Sequence, residues 1–512
     1  MKKYPLMGKC LAIGIILLFV GTGIIPSTAQ KVGEKPVLPV SGGNTLYVGG
    51  SGPGNYTKIQ DAIDNASEGD TVFVFDDSSP YYENLLINKS IYLIGENKET
   101  TIIDGRENGT CVSVLVNSVS ISGFTIQKSG YWYPGIQMTS SNYSIISSNI
   151  LKNNTGPGLR FISANNNIIT DNVIIHNYDG IYARSGSGNL IDDNYICFNS
   201  DEGISLYAEG PNTISRNNIS SNGYWGIYVF NIDTRNNNIT GNYISNNPSK
   251  GILVSISTDV FISNNIISNS KIGIDISGSS SDVISNNHLL ENSGCGIAVE
   301  GSDNYIFNNS FLNNGLVIEV LSHNNIYNNE INGKPLIYLE GTSGITIDNA
   351  GQIILMNCNN INIVNVDLSH ASIGLILFDC DTITIQNVDL SHDSEGLILF
   401  NTYYCTISGN NFSYDSLAVY IRYSSLNKFI KNNFIKTENV VNFFVDKKNS
   451  SNYWSGNYFD KKVPFLPKIM RGKMRIWITV PFPPYPGSKI PIFLPKFYFD
   501  WHPAKKPYDI GV

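Results

Sequence analysis

The stretch Gly180 to Gly210, GIYARSGSGNLIDDNYICFNSDEGISLYAEG, holds one whole repeat and the opening of the next. Gly180-Ile181 starts a short alternating run, and Gly203-Ile204 starts it again 23 positions later. Between them Ile191 and Ile196 sit in two further short runs, bounded by Asn, Asp and Ser. No helical spacing runs through it; brief alternations of Ile, Leu and Tyr between turn residues are strand signals. Outward from here the Gly-apolar pair recurs at Gly135, Gly158, Gly180, Gly203, Gly226, Gly251, Gly273 and Gly296, at intervals of 22 to 25. It resumes at Gly351, Gly374 and Gly396.

A second register, read as Asn149, Asn172, Asn194, Asn218, Asn242, Asn265, Asn287, Asn309 and Asn329, precedes an apolar pair in each repeat. A period of this length means a solenoid or a propeller. Leucine-rich repeats are of similar length, but their leucine frame is missing. The reading that explains both columns is an all-β fold: a single-stranded, right-handed parallel β-helix. Its strands stack at ~4.8 Å and alternate side chains point inward as aliphatic ladders. Asn at one turn of every coil satisfies turn backbone, and Asn and Gly tolerate the left-handed bends.

Composition agrees. Of 512 residues 65 are Asn, and charged residues are only 15%. Aromatics at 11% argue against disorder. The net charge of −8 argues against nucleic-acid binding. The one long apolar run, Leu11 to Ile25, follows Lys2, Lys3 and Lys9 and precedes small residues. Residues 1–29 therefore read as a secretory signal peptide, with an uncleaved anchor as the rival, and residues 30–44 as a linker. The expected location is secreted or cell-surface, with no stable span once the signal is cut. Six cysteines remain without a C-x-x-C pair, so no zinc framework is indicated.

The ends differ from the middle. In YTKIQDAIDNASEGDTVFVF (56–75) Ile59, Ala62, Ile63 and Ala66 share a helical face, expected to cap the first coil. With YYENLLINKSIYLIGENKETTIIDG (81–105), this segment resembles the cap and first coils of the pectin-lyase-like superfamily. Residues 45–460 resemble the NosD-type periplasmic copper-binding β-helix family, with its carbohydrate-binding and sugar-hydrolase repeat module. INGKPLIYLEGTSGITIDNAGQIILMNCNNINIVN (331–365) is similar to that family's interruption between repeats, and NYWSGNYF (452–459) to its closing motif. The expected organisation is thus cap and first coils over 45–128, repeats over 129–460 with an insertion near 331–350, and an irregular tail over 461–512. That tail holds ten of the 21 prolines, and ten Lys or Arg against two Asp, whereas residues 30–460 hold 21 against 40 acids. It reads as a wrap over the last coil, or as a basic arm for an anionic cell-surface polymer.

Chemistry is sought on outward strand positions. One outward column reads Gln137, Arg160, Tyr182, Ser205, Tyr228, Leu253, Asp275, Ala298; the next reads Thr139, Ile162, Arg184, Tyr207, Phe230, Ser255, Ser277, Glu300. Arg160, Tyr182, Arg184, Tyr207, Tyr228, Phe230 and Trp225 form an aromatic and Arg patch, while later coils carry small residues. Aromatic faces suit sugar rings and Arg suits carboxylates, so a polysaccharide or cell-surface glycan, including acidic ones, is the expected partner of a monomeric protein. Stacked Tyr are equally good surface strand residues. Asp179 and Asp201, 22 apart, with Glu202 and His176, are the candidates if the face is catalytic as a hydrolase, lyase or epimerase. Motifs of β-helix polygalacturonases and pectin methylesterases are absent. The family's copper role directs attention to His370 and His392, 22 apart in two copies of NVDLSH, with Asp367, Asp389 and Asp393 near them. The copies also read as a repeated outer turn without a ligand. No cofactor is assigned; copper and calcium are the ions considered.

Overall fold

In the computed structural model the described residues are 43–207, 210–230, 235–318, 323–445, 451–460, 467–479 and 489–510. The expected signal peptide and most of the linker lie outside them. The chain from residue 43 is a right-handed parallel β-solenoid of about 18 turns. Each early coil contributes three short strands, such as Ile181–Arg184, Leu190–Asp192 and Tyr195–Cys197. These stack into three parallel sheets, one of 13 strands and one of 11. The glycine column forms one edge: a Cβ on Gly180 would collide with the Gly203 carbonyl of the next coil, so coils approach there to a distance that excludes any side chain.

The Asn register carries one correction. The ladder runs through Asn217, not Asn218. Asn194 N–H donates to Asn217 Oδ1 (2.9 Å), and Asn217 N–H to Asn242 Oδ1 (3.0 Å). Asn218 stands in the strand Asn218–Ser220, opposite Tyr195. The residue before each ladder Asn takes a left-handed conformation, as in Asp171, Asp193, Arg216 and Gly241. Two further buried ladders accompany it: Asn154, Asn177, Asn199, Asn222, Asn247, and Asn167, Asn189, Asn212, Asn237. Every rung accepts from the backbone of the preceding coil, which satisfies three buried turns per coil.

One helix is found among the described residues, Ile59–Asn65, and it buries Ile59, Ala62 and Ile63. Lys58 offers no side-chain cap; Glu83 accepts from Ile59 and Gln60 N–H at 2.8 and 3.0 Å instead.

At the insertion the chain reverses. Glu330–Ile331 and Lys334–Glu340 pair antiparallel around Asn332 and Gly333, both left-handed. A second parallel array follows, and the apolar interior divides with it. One cluster runs from Val48 to Leu336 and takes in Ile354, Met356, Ile376 and Phe378; the other extends from Ile347 to Tyr498. The outward side of the second array's first strands is therefore covered by the end of the first array. The glycine frame slips here: Ile353 pairs with Leu375, so Gln352 rather than Gly351 stands opposite Gly374.

The tail is regular where an irregular one was expected. Lys468–Thr479 and Lys489–Asp500 form an antiparallel hairpin. Its inner face closes the last coil. Asp500, fully buried, accepts from both Asn457 N–H and Nδ2 at 2.9 Å and so takes the place of the next rung.

Candidate functional site

The outward columns stand as the sequence orders them. Arg160 pairs with Tyr182, Tyr182 with Ser205, and Ser205 with Tyr228; Ile162 pairs with Arg184, and Arg184 with Tyr207. Period-two alternation along Leu159–Ile162 and Ile181–Arg184 puts these side chains outside while Leu159, Phe161 and Ile181 fill the core. Beside them, the turns after the third sheet bring in Trp132, Tyr178, Asp179, Asp201 and Glu202.

A groove of about 320 Å³ results, lined by Trp132, Pro157, Arg160, Ile162, Tyr178, Asp179, Tyr182 and Arg184. Arg160 is fixed by donating to the Trp132 carbonyl at 2.9 Å, and burial lowers its pKa. Trp132 and Tyr178 meet edge to face at 4.4 Å. Pro157 was not foreseen; its only sequence signal is its place just before Gly158.

The other predicted aromatics form a wall. Tyr207 lies 5.4 Å from Tyr182, 5.5 Å from Tyr228 and 5.8 Å from Phe230, and Trp225 lies 4.5 Å from Tyr228. These rings mostly meet tilted or edge to face, each partly covered by the next. They buttress Tyr182 rather than offering one flat platform.

Three carboxyls gather on the groove's flank: donor atoms of Asp179, Asp201 and Glu202 all lie within 4.8 Å of one another. Asp179 is 6% exposed. Burial pushes its pKa up to about 6 and that of Glu202 up to about 8, Glu202 being raised further by its hydrogen bond with Asp179. At neutral pH this pair holds a proton. Tyr178 bonds Asp201, which together with burial pushes the phenol up to about 12. His176 does not join them. It is exposed and stacks on Phe198 at 5.7 Å.

His370 and His392 do meet, as stacked rings 4.6 Å apart and 8° from parallel, with Tyr414 continuing the stack at 4.7 Å. Each Nδ1 faces the hydroxyl of its preceding Ser, Ser369 or Ser391. Parallel rings direct their lone pairs side by side, so the two imidazoles do not converge on one ion.

A second aromatic run was missed. Phe378, Phe400, Tyr423 and Phe444 follow one another at 5.3 to 5.6 Å along the second array, and Arg422 lies 5.1 Å from the centre of the Tyr423 ring. Its signal was present in the outward positions after Gly374 and Gly396, beyond the columns read above. The aromatic and Arg character is thus not confined to the early coils.

The family described as "Periplasmic copper-binding protein (NosD)" matches residues 63–248 and 230–344, and the family "Right handed beta helix region" matches 351–462. The boundary between them falls beside the chain reversal. No curated protein matches the chain. Among solved structures, pectate lyase Pel9A is 17% identical, with a TM-score of 0.38 over 56% of this chain and 78% of that one. The alginate lyase from Paenibacillus sp. str. FPU-7 is 12% identical, with a TM-score of 0.35 over 56% and 99%. Dettilon tailspike protein is 14% identical, with a TM-score of 0.36 over 85% and 74%.

Copper takes imidazole, thiolate or thioether ligands. Among the described residues, the one group of three or more His, Cys, Asp or Glu donors is the all-oxygen trio on the groove's flank. Oxygen donors of that kind are the chemistry of calcium or magnesium. Among the described residues, no group of three or more His, Cys, Asp or Glu donors brings imidazole or thiolate together as copper prefers.

Proposed function

The chain belongs to the NosD family of right-handed β-helix proteins, and on that footing we propose that it binds an acidic polysaccharide in the groove between Trp132 and Arg184. The observation that carries this reading is the pairing of Arg160 and Arg184 with Trp132, Tyr178 and Tyr182 around one cleft. Aromatic side chains with a polar atom can stack on a sugar ring and still bond a hydroxyl. Guanidinium forks match the carboxylate of a uronic acid. A neutral Glu202, its proton shared with Asp179, leaves one negative charge fewer on the groove's flank to repel an anionic chain.

Two-carboxylate glycoside hydrolysis fits less well. It uses carboxyls ~5–5.5 Å apart, or ~6.5–9.5 Å when water lies between them. Here Asp179 and Glu202 bond each other. The groove is read as a binding site. The family's description places its members in the periplasm. Among the described residues no helix is long and apolar enough to cross a membrane.

The test is a glycan array followed by calorimetry with the best acidic polysaccharide. Tyr182→Ala should weaken binding about fivefold, and Arg160→Ala more, with the Arg effect fading in salt. A Ser255→Ala/Ser277→Ala pair on later coils should bind as the parent does. Equal affinity for all three folded variants would remove the groove from consideration.

A further inference from the structure

We propose that the outward face of the C-terminal hairpin is a docking surface for an anionic lipid bilayer. Strand alternation gives this hairpin two jobs. Met470, Tyr498 and Asp500 are buried on the solenoid side. On the other side Ile469 stands opposite Phe499, Arg471 opposite Phe497, Lys473 opposite Pro495, and Arg475 opposite Phe493. One rail is mostly basic and the other wholly apolar, with no carboxylate among the eight. Phe493 is 54% exposed, Phe497 43% and Phe499 37%. Trp501, 64% exposed, stacks on Phe499 at 5.3 Å. The strip continues onto the second array, because Phe444 meets Phe493 at 5.6 Å and Arg475 lies over Tyr423 and Phe444.

The composition selects the occupant. A contiguous apolar strip of this kind marks an interaction surface. The groove aromatics are Tyr and Trp, each with a polar atom; the hairpin's apolar rail is Phe and Pro, which have none on the side chain. Such side chains gain most at the acyl boundary of a bilayer, while neighbouring cations pair with headgroup phosphates. Charge agrees, since residues 461–512 carry ten Lys or Arg against two Asp, in a chain that is acidic elsewhere. A basic end on an acidic solenoid orients the molecule with that end toward a negative surface.

The experiment is cosedimentation of the full chain with vesicles of phosphatidylcholine and phosphatidylglycerol at about 3:1, against phosphatidylcholine alone. The apolar run 11–25 is common to every variant, so the anionic-lipid-dependent gain reports the hairpin. Arg471→Gln/Lys473→Gln should reduce that gain about twenty-five-fold, at about fivefold per cation. Phe493→Ser/Phe497→Ser should reduce it by a similar factor and leave its salt dependence intact. Unchanged melting temperatures establish that the exposed substitutions spare the fold; a variant that melts early is replaced by the single Lys473→Gln or Phe497→Ser. Equal partition of parent and variants overturns the proposal. So does a parent that ignores vesicles but binds alginate or dimerises through this face.

Discussion

Gln352 occupies the place of a missing strand above Leu316. Its Oε1 accepts from Leu316 N–H at 3.0 Å and its Nε2 donates to Leu316 C=O at 2.8 Å. The same Nε2 reaches Ile373 C=O at 2.7 Å, and Ser372 Oγ takes Gly315 N–H at 2.9 Å. One primary amide thus supplies the donor and acceptor that the next coil's backbone would have given. It is fully buried, so these bonds have no water to replace them.

Gln352→Ala should therefore destabilise the protein by about 2–5 kcal/mol, because it strands a buried N–H and a buried C=O. Gln352→Glu keeps the size and, as the neutral acid, one donor, at the cost of holding a buried carboxyl protonated, and should fall between. Chemical denaturation checks this. A loss under ~0.5 kcal/mol for the Ala variant would mean that the junction is held by apolar contact alone.

The groove should lose affinity for an acidic glycan as pH rises through about 8. Glu202 is raised to about 8 and Asp179 to about 6, chiefly by burial. Below that range Glu202 is neutral and its proton is shared with Asp179; above it, a further negative charge stands on the groove's flank. Glu202→Gln should keep binding at pH 7 and abolish the decline. Calorimetry from pH 6 to 9.5 decides, and a parent profile that is flat or rises across this range refutes the assignment.

In the second array Asp393 and Asp415 replace ladder asparagines. Ala371 N–H donates to Asp393 Oδ1 at 2.8 Å, and Asp393 N–H to Asp415 Oδ1 at 3.1 Å, while both Oδ2 atoms lack partners. A neutral carboxylic acid is shaped like the amide and can donate from Oδ2 as Asn does from Nδ2. Burial raises both, Asp415 to about 8, with Asp415 raising Asp393 further. The folded state thus binds protons more tightly than the unfolded chain. Stability should be greatest below about pH 4 for this pair and fall as pH rises, the Asp415 contribution being lost through about 8. Asp393→Asn/Asp415→Asn should raise stability at pH 8 by on the order of 3 kcal/mol and flatten the profile. Denaturation midpoints that keep the parent's slope with pH would show that other groups cause it.

The sequence disclosed most where one residue type has one reason to recur. The Gly column and outward Arg160, Tyr182 and Tyr207 are set by close coil approach and period-two alternation, and both leave a spacing. The Asn ladders were harder. Asn217 and Asn218 are adjacent, and only the left-handed Arg216 before them decides which turns inward. The two other ladders change letter along their length: Asp282 still accepts from Val260 N–H at 2.8 Å, whereas the Ser270 hydroxyl is too short to act as a rung and lacks a partner. Gly351 misled because a 23-residue interval looks like an ordinary coil, whereas the pairing is 22 with a one-residue slip. The hairpin was concealed by its prolines. Pro491 and Pro495 are four apart, so they share one phase of the antiparallel ladder, the arrangement that keeps both missing N–H groups off the pairing edge. The carboxyl trio needed three dimensions: Asp179 and Asp201 follow from the repeat, but the shared proton depends on burial, which no spacing encodes.

The reversal at Asn332-Gly333 has a consequence for how the molecule comes apart. In a one-dimensional solenoid each coil feels only its neighbours, so disorder that starts at one end propagates like a burning fuse. Here the fuse is cut. Backbone pairing turns antiparallel for one step there, and the two arrays meet instead through side chains: Ile354, Met356, Ile376 and Phe378 against the first core, with Gln352 and Ser372 bonded to Leu316 and Gly315. Heat or force applied to the basic end would consume the second array first and stall there, leaving the groove at Trp132 and Arg160 intact on the first.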